Sequence, residues 1–141
     1  MQLSKLESKA YEILKKPLFV TDTGLSLDVF NGFPGALIKF FNKYTGQKGI
    51  LKLLDGERNR SAKAIVSLTF YDGKVMETFE GVTEGNITEK EWIAGWEYDR
   101  IFIPLGSDKT WAEMGSETKN KDSYYKIVFE NFLSWLNHKK V

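Results

Sequence analysis

Cysteine is absent from the 141 residues, and histidine occurs once, at His138. The first absence excludes disulfides, thiol catalysis and cysteine-ligated zinc; it fits a reducing, cytoplasmic compartment. The second makes a Ser-His-Asp triad untenable, because His138 falls near the C-terminus, where a solvated helix end is expected. No apolar run is long enough to span a bilayer. Residues 1–16 mix Lys and Glu through their apolar positions, so they make no signal peptide. Neither sign of charge dominates: 20 basic residues stand against 19 acidic, a net charge of +1. That excludes general attraction to nucleic acid or a membrane surface and leaves only a local basic pocket open. Internal repeats and low-complexity linkers are missing too. A chain of this length is expected to form one domain, residues 1–141, around one core.

What is present is an intermixture of helical and strand patterns. Leu3, Leu6, Ala10, Ile13 and Leu14 recur at helical spacing and predict a helix; Ser4 and Glu7 could cap it, and Pro17 stops it. Leu18-Phe19-Val20 reads as a short buried strand, with residues 22–26 as the loop at its end. Residues 36–44 predict a helix with Leu37, Phe40 and Phe41 inward, broken by Gly46 and Gly49, and residues 50–54 a further short helix. Residues 61–71 alternate, with Ala62, Ala64, Val66, Leu68 and Phe70 on one face; Asp72-Gly73 is a hairpin turn, and residues 74–82 return. Gly81 and Gly85 mark the far end of that hairpin. Residues 100–104 predict another strand, and residues 122–140 a helix with Tyr124, Val128, Phe132 and Trp135 as its apolar stripe. The expected fold class is α/β or α+β, with a central mixed sheet flanked by helices.

The most informative stretch is Phe19-Val20-Thr21-Asp22-Thr23-Gly24-Leu25 followed by Asn31-Gly32-Phe33-Pro34-Gly35. An apolar run ending in an acid, a hydroxyl and a glycine can deliver a carboxylate to a cleft, where it holds a cation or activates water. Taken alone, Asp22 reads more readily as an aspartate capping the turn at Thr23 and Gly24.

Four blocks, in order, resemble the Ham1 family of inosine/xanthosine triphosphate pyrophosphatases. Thr21-Asp22-Thr23-Gly24-Leu25 is similar to E-D-S/T-G-L. Asn31-Gly32-Phe33-Pro34-Gly35 with Lys39-Phe40 is similar to N-G-x-P-G and its phosphate-side lysine. Gly95-Trp96-Glu97-Tyr98-Asp99-Arg100-Ile101-Phe102 is similar to G-F-G-Y/W-D-P-I-F, and Thr110-Trp111-Ala112-Glu113-Met114 with Lys119-Asn120 to T-F/Y-A-E-M and a following K-N. There are departures. The family's opening T-G-N-x-x-K turn and a metal-binding glutamate have no counterpart here, Thr21 and Glu97 replace a glutamate and a small residue, Arg100 replaces proline, and Tyr124-Tyr125 replace His-Arg.

The resemblance implies hydrolysis of non-standard purine nucleoside triphosphates (ITP, XTP, dITP) to the monophosphate and pyrophosphate, with Mg²⁺ as cofactor. It makes Asp22 the metal ligand and catalytic residue. It gives substrate-binding roles to Thr23, Lys39, Trp96, Glu97, Tyr98, Asp99, Lys119, Tyr124 and Tyr125, with Trp96 stacking on the base and the lysines on phosphate or substrate. Each has a plainer reading: surface lysines, a tryptophan in the core, an aspartate in a turn. Tyrosine lacks the cationic fork of arginine, so base discrimination is expected to be degraded. The missing first strand would leave a sheet edge open, to be covered by a homodimer, a separate partner or a rearranged sheet. Two further readings compete: a nucleotide-binding or interaction domain that has lost catalysis, and a dimeric aspartic protease suggested by Asp22-Thr23-Gly24, which the helices and the other blocks argue against.

Overall fold

The computed structural model describes residues 2–139, and within them all side chains except those of residues 2–4, 121 and 122. In chain order the elements are α1 (Gln2–Leu14), β1 (Leu18–Leu27), β2 (Pro34–Gly35), α2 (Ile38–Tyr44), α3 (Gln47–Leu53), β3 (Ser61–Tyr71), β4 (Met76–Ile87), β5 (Phe102–Pro104), α4 (Trp111–Met114), α5 (Ser116–Asp122) and α6 (Tyr124–Lys139), with 3-10 turns at Asp28–Phe30 and Glu97–Arg100. The sheet runs β2-β1-β3-β4-β5. Helices and strands intermix as the sequence leads one to expect. The sheet, expected to be mixed in direction, pairs antiparallel at all four described interfaces.

The β3–β4 hairpin is its centre. Ala62, Ala64, Val66, Leu68 and Phe70 are buried on the face the alternation predicts, and Tyr124, Val128 and Phe132 of α6 close over them. Phe132 lies 5.6 Å from Phe70 and 5.7 Å from Phe79, ring to ring. The turn holds because the Asp72 carboxylate accepts from the Lys74 and Val75 backbone N–H groups (2.9 and 2.8 Å), while Gly73 takes φ +93°. The strand does not end at its glycines. Gly81 and Gly85 lie inside β4 because a Cβ there would stand 2.2 Å from the Tyr124 carbonyl oxygen and 2.3 Å from that of Ile103. Glycine lets α6 and β5 approach the strand.

Other expectations need correction. Residues 22–26 are not a loop: β1 continues through them, paired with β3 from Leu18↔Tyr71 to Leu27↔Ala62. A full-length partner strand supplies hydrogen bonds that the local turn residues alone would not demand. α2 starts at Ile38, which is buried, whereas Leu37 and Phe40 are exposed. α3 begins at Gln47 and contains Gly49. The helix expected over residues 122–140 is α6, and a separate short helix, α5, ends just before it at Asp122.

Most of the apolar stripe of α1 faces solvent. Ile13 is 81% exposed, and Leu6 and Leu14 also face solvent, whereas Glu7 is 0% exposed with neither carboxyl oxygen hydrogen-bonded. α1 lies across the sheet from α6, its Tyr11 meeting Tyr71 edge-on at 5.2 Å. The side chains of Leu3 and Ser4, including the proposed cap, lie outside the described residues.

Candidate active site

Three segments converge beside β1. The carboxyl-bearing residue Asp22 sits in mid-strand, paired with Ser67. β2 meets β1 only at Leu25 and Ser26, so among the described residues no strand flanks positions 18–23 on that side. At this open edge the Asp22 Oδ1 accepts the Thr23 backbone N–H (3.1 Å), and Asp22, with Thr21 and Thr23, borders a cavity of about 250 Å³.

The opposite wall is the turn after Gly95. Trp96 is 76% exposed, so its indole is not core packing; it lines the cavity as an open ring face. Glu97 follows at φ +44°, a left-handed conformation that a non-glycine residue adopts only when its surroundings enforce it. Burial raises the Glu97 carboxyl above its usual range; Asp99 adds to this, and Lys119 opposes it. Asp99 is raised by burial as well, against the hydrogen bond and charge of Lys119.

α5 and α6 close the pocket. The Lys119 ammonium donates to the Asp99 carboxylate (2.6 Å), the two side chains being 13% and 15% exposed. It also lies over the Trp111 ring (4.8 Å to the centroid) and the Tyr124 ring (5.8 Å). The lysine assigned by resemblance to phosphate or substrate is therefore already matched by an acid and two ring faces. Tyr98 is 2% exposed; its hydroxyl donates to the Gly24 carbonyl (3.3 Å) and lies 2.9 Å from the Tyr124 hydroxyl. Tyr124 stacks on Trp111 at 5.1 Å and 27°. Burial pushes both phenols well above the ordinary tyrosine value. Tyr125 is only half-buried, and its phenol is raised by burial first, then by Asp99, Glu97 and Asp22.

Of the residues singled out in the sequence, all but one border this cavity. The exception is Lys39, on α2 away from the pocket, with its ammonium over the neighbouring Phe40 ring (5.5 Å). Arg100, at a position where proline was expected, pairs with Glu91. Three contributors were missed. Thr21 was noted only as a replacement, Trp111 only as part of a motif, and Gly24 is used through its carbonyl, which no side-chain reasoning exposes. A groove of about 690 Å³ beside α3 is larger, but the Arg60 guanidinium in it is spent on the carbonyls of Leu54, Ile87 and Thr88.

The pocket's donors are carboxylate, hydroxyl and carbonyl oxygens. That is hard-cation chemistry, unsuited to zinc or copper. Among the described residues no group of three or more acidic, histidine or cysteine side chains gathers tightly enough to cage a metal. Magnesium needs no such cage, since it keeps several waters and takes one or two carboxylates.

Fold and site together define an α/β domain with an acidic, aromatic-rimmed pocket set against an edge strand. The chain belongs to the Ham1 family, whose family model matches residues 2–135. It is 43% identical over 128 residues to the dITP/XTP pyrophosphatase of Saccharolobus solfataricus, covering 90% of this chain and 67% of that protein. It is 40% identical over 121 residues to the Thermococcus kodakarensis protein of the same name, covering 85% and 65%. It is 38% identical over 138 residues to the inosine triphosphate pyrophosphatase of Kluyveromyces lactis, covering 95% and 71%. The solved structure of the Staphylococcus aureus Ham1 protein superposes with a TM-score of 0.83 at 23% identity, covering 94% of this chain and 73% of that one, and shows the fold. The chain spans about two thirds of the length of the curated relatives it matches.

Proposed function

We propose that this protein hydrolyses non-standard purine nucleoside triphosphates, ITP, XTP and dITP, to the monophosphate and pyrophosphate. The observation that carries the reading is the convergence of Asp22, Trp96, Asp99, Lys119 and Tyr125 on one cavity. In the reaction a water oxygen bonds to the α-phosphorus, the α–β bridging P–O bond breaks with its electrons going to pyrophosphate, and the water gives up a proton. To Asp22, at an open strand edge, we assign the orienting of that water and the acceptance of its proton. The exposed indole of Trp96 offers a stacking face worth about 1–3 kcal/mol to a base. The cavity holds three acids against one lysine, so a polyphosphate needs cationic help there. Asp22 would hold magnesium, with waters completing its shell, and the ion would supply charge neutralisation to the phosphates.

A second reading is supported by the commitment of Lys119 to Asp99 and by Lys39 lying outside the cavity: a Ham1-family domain that binds nucleotide without turning it over. For either reading we place the protein in the cytoplasm, with a second copy covering the open edge of β1. No helix among the described residues is long and apolar enough to cross a membrane.

Pyrophosphate release from ITP, XTP and dITP with Mg²⁺ decides between the readings. Wild type is expected to release it, and Asp22→Asn to be slower by about 100-fold or more. Binding without release supports the second reading, and full activity in Asp22→Asn removes Asp22 from the chemistry.

A further inference from the structure

Two hydroxyls in the pocket wall have no part in the proposed chemistry, and their hydrogen bonds run in one direction only. The Gly24 carbonyl carries no hydrogen, so it takes the proton of Tyr98. The Tyr98 oxygen can then only accept from its other neighbour, and the Tyr124 hydroxyl must donate to it across 2.9 Å. The chain of bonds runs from α6 through the 3-10 turn to the β1 backbone, two residues from Asp22. Both tyrosines are buried, Tyr124 against Trp111 and Tyr98 against Phe102. Among the described residues β2 pairs with β1 only at Leu25 and Ser26, so the flank of β1 beside Asp22 lacks the second ladder that holds an interior strand.

We propose that Tyr98, fixed in direction by Tyr124, is a positioning residue that tethers the Asp22 segment of β1 to the opposite wall of the pocket. The tether sets the separation between the carboxylate on one wall and Trp96, Glu97 and Asp99 on the other, because those three flank Tyr98 in sequence. It rests on the hydrolytic reading above, but its mechanical part does not. Tyrosine at position 124 is what closes the chain of hydroxyls in this protein: it is an orienting group, with its hydrogen turned away from any ligand. Tyr125 is left as the tyrosine able to donate into the cavity.

Tyr98→Phe keeps the ring and removes the tether. Pyrophosphate release is expected to lose about tenfold in kcat with KM moved less than about threefold, because a small misplacement of the carboxylate weakens the reacting geometry more than binding. Backbone amide exchange at residues 22–25 is expected to rise about tenfold. Tyr124→Phe leaves the bond to Gly24 but frees its direction, and both readouts are expected to move by about threefold. It carries the test if Tyr98→Phe fails to fold. Unchanged exchange in Tyr98→Phe overturns the tether, whatever the activity. Raised exchange with unchanged kcat overturns its role in positioning. If the wild type releases no pyrophosphate, the hydrolytic reading fails, and the exchange measurement alone still accepts or rejects the tether.

Discussion

Lys119 and Asp99 show how far a single residue's environment alters its role. By resemblance each should meet the substrate, yet each has the other as its nearest partner, at 2.6 Å and largely out of solvent. Removing one member of such a pair strands the other, which costs more than the pair contributes. Lys119→Met is expected to destabilise the fold by about 3 kcal/mol, read as a drop in chemical-denaturation midpoint, and Asp99→Asn/Lys119→Met together to recover most of it. A single mutant as stable as wild type would mean that the pair is solvated. At this scale Asp22, Trp96, Asp99, Lys119 and the two tyrosines were legible as a group, because their motifs keep family order along the chain. Their partnerships were not. The Asp99 contact joins residues 20 apart and the Tyr98 contact residues 74 apart, and only the folded chain brings them together.

At the scale of elements, the β3–β4 hairpin was legible, apart from the last five residues of β4, because alternation and the Asp72-Gly73 turn are local signals. β1 was under-read for the opposite reason: its second half carries turn-forming residues and becomes a strand only because β3 runs alongside it. The glycines of β4 were misread as punctuation, whereas they are contact points. Gly81→Ala tests this. Its Cβ would meet the Tyr124 carbonyl, so α6 must shift at the end that carries Tyr124 and Tyr125. A loss of about 2 kcal/mol in stability is expected, together with weaker nucleotide binding, both measurable in one thermal-shift titration. A neutral substitution would show that α6 does not press on the strand. The solvent-facing stripe of α1 has a related explanation: periodicity marks an apolar stripe but not which side the sheet occupies.

The balance of acids over the whole molecule sets its response to pH, and the signs can be worked out. Glu7, Glu97 and Asp99 are all raised, each by burial first. The folded state therefore holds protons that the unfolded chain has released, and the stability these groups contribute is lost as pH rises from the ordinary carboxylate values, 4.5 and 3.8, through the raised ones. Asp72 works the other way: the Lys139 hydrogen bond leads its lowering, followed by the Val75 and Lys74 backbone N–H groups. Its contribution is present above the ordinary value of 3.8 and is lost as pH falls below it. Three acids pull the optimum down and one holds it up from below, so thermal stability is expected to peak on the acid side of neutrality, above about pH 4. Glu7→Gln removes the buried, unpartnered acid and should flatten the alkaline limb of that profile without moving the acid limb, which belongs to Asp72. Melting temperatures from pH 3 to 9 on the two proteins separate these limbs. A wild-type melting temperature that climbs steadily to pH 8 would show that the buried carboxyls are paired or solvated in solution, and the same alkaline slope in Glu7→Gln would assign it to Glu97 and Asp99 at the pocket.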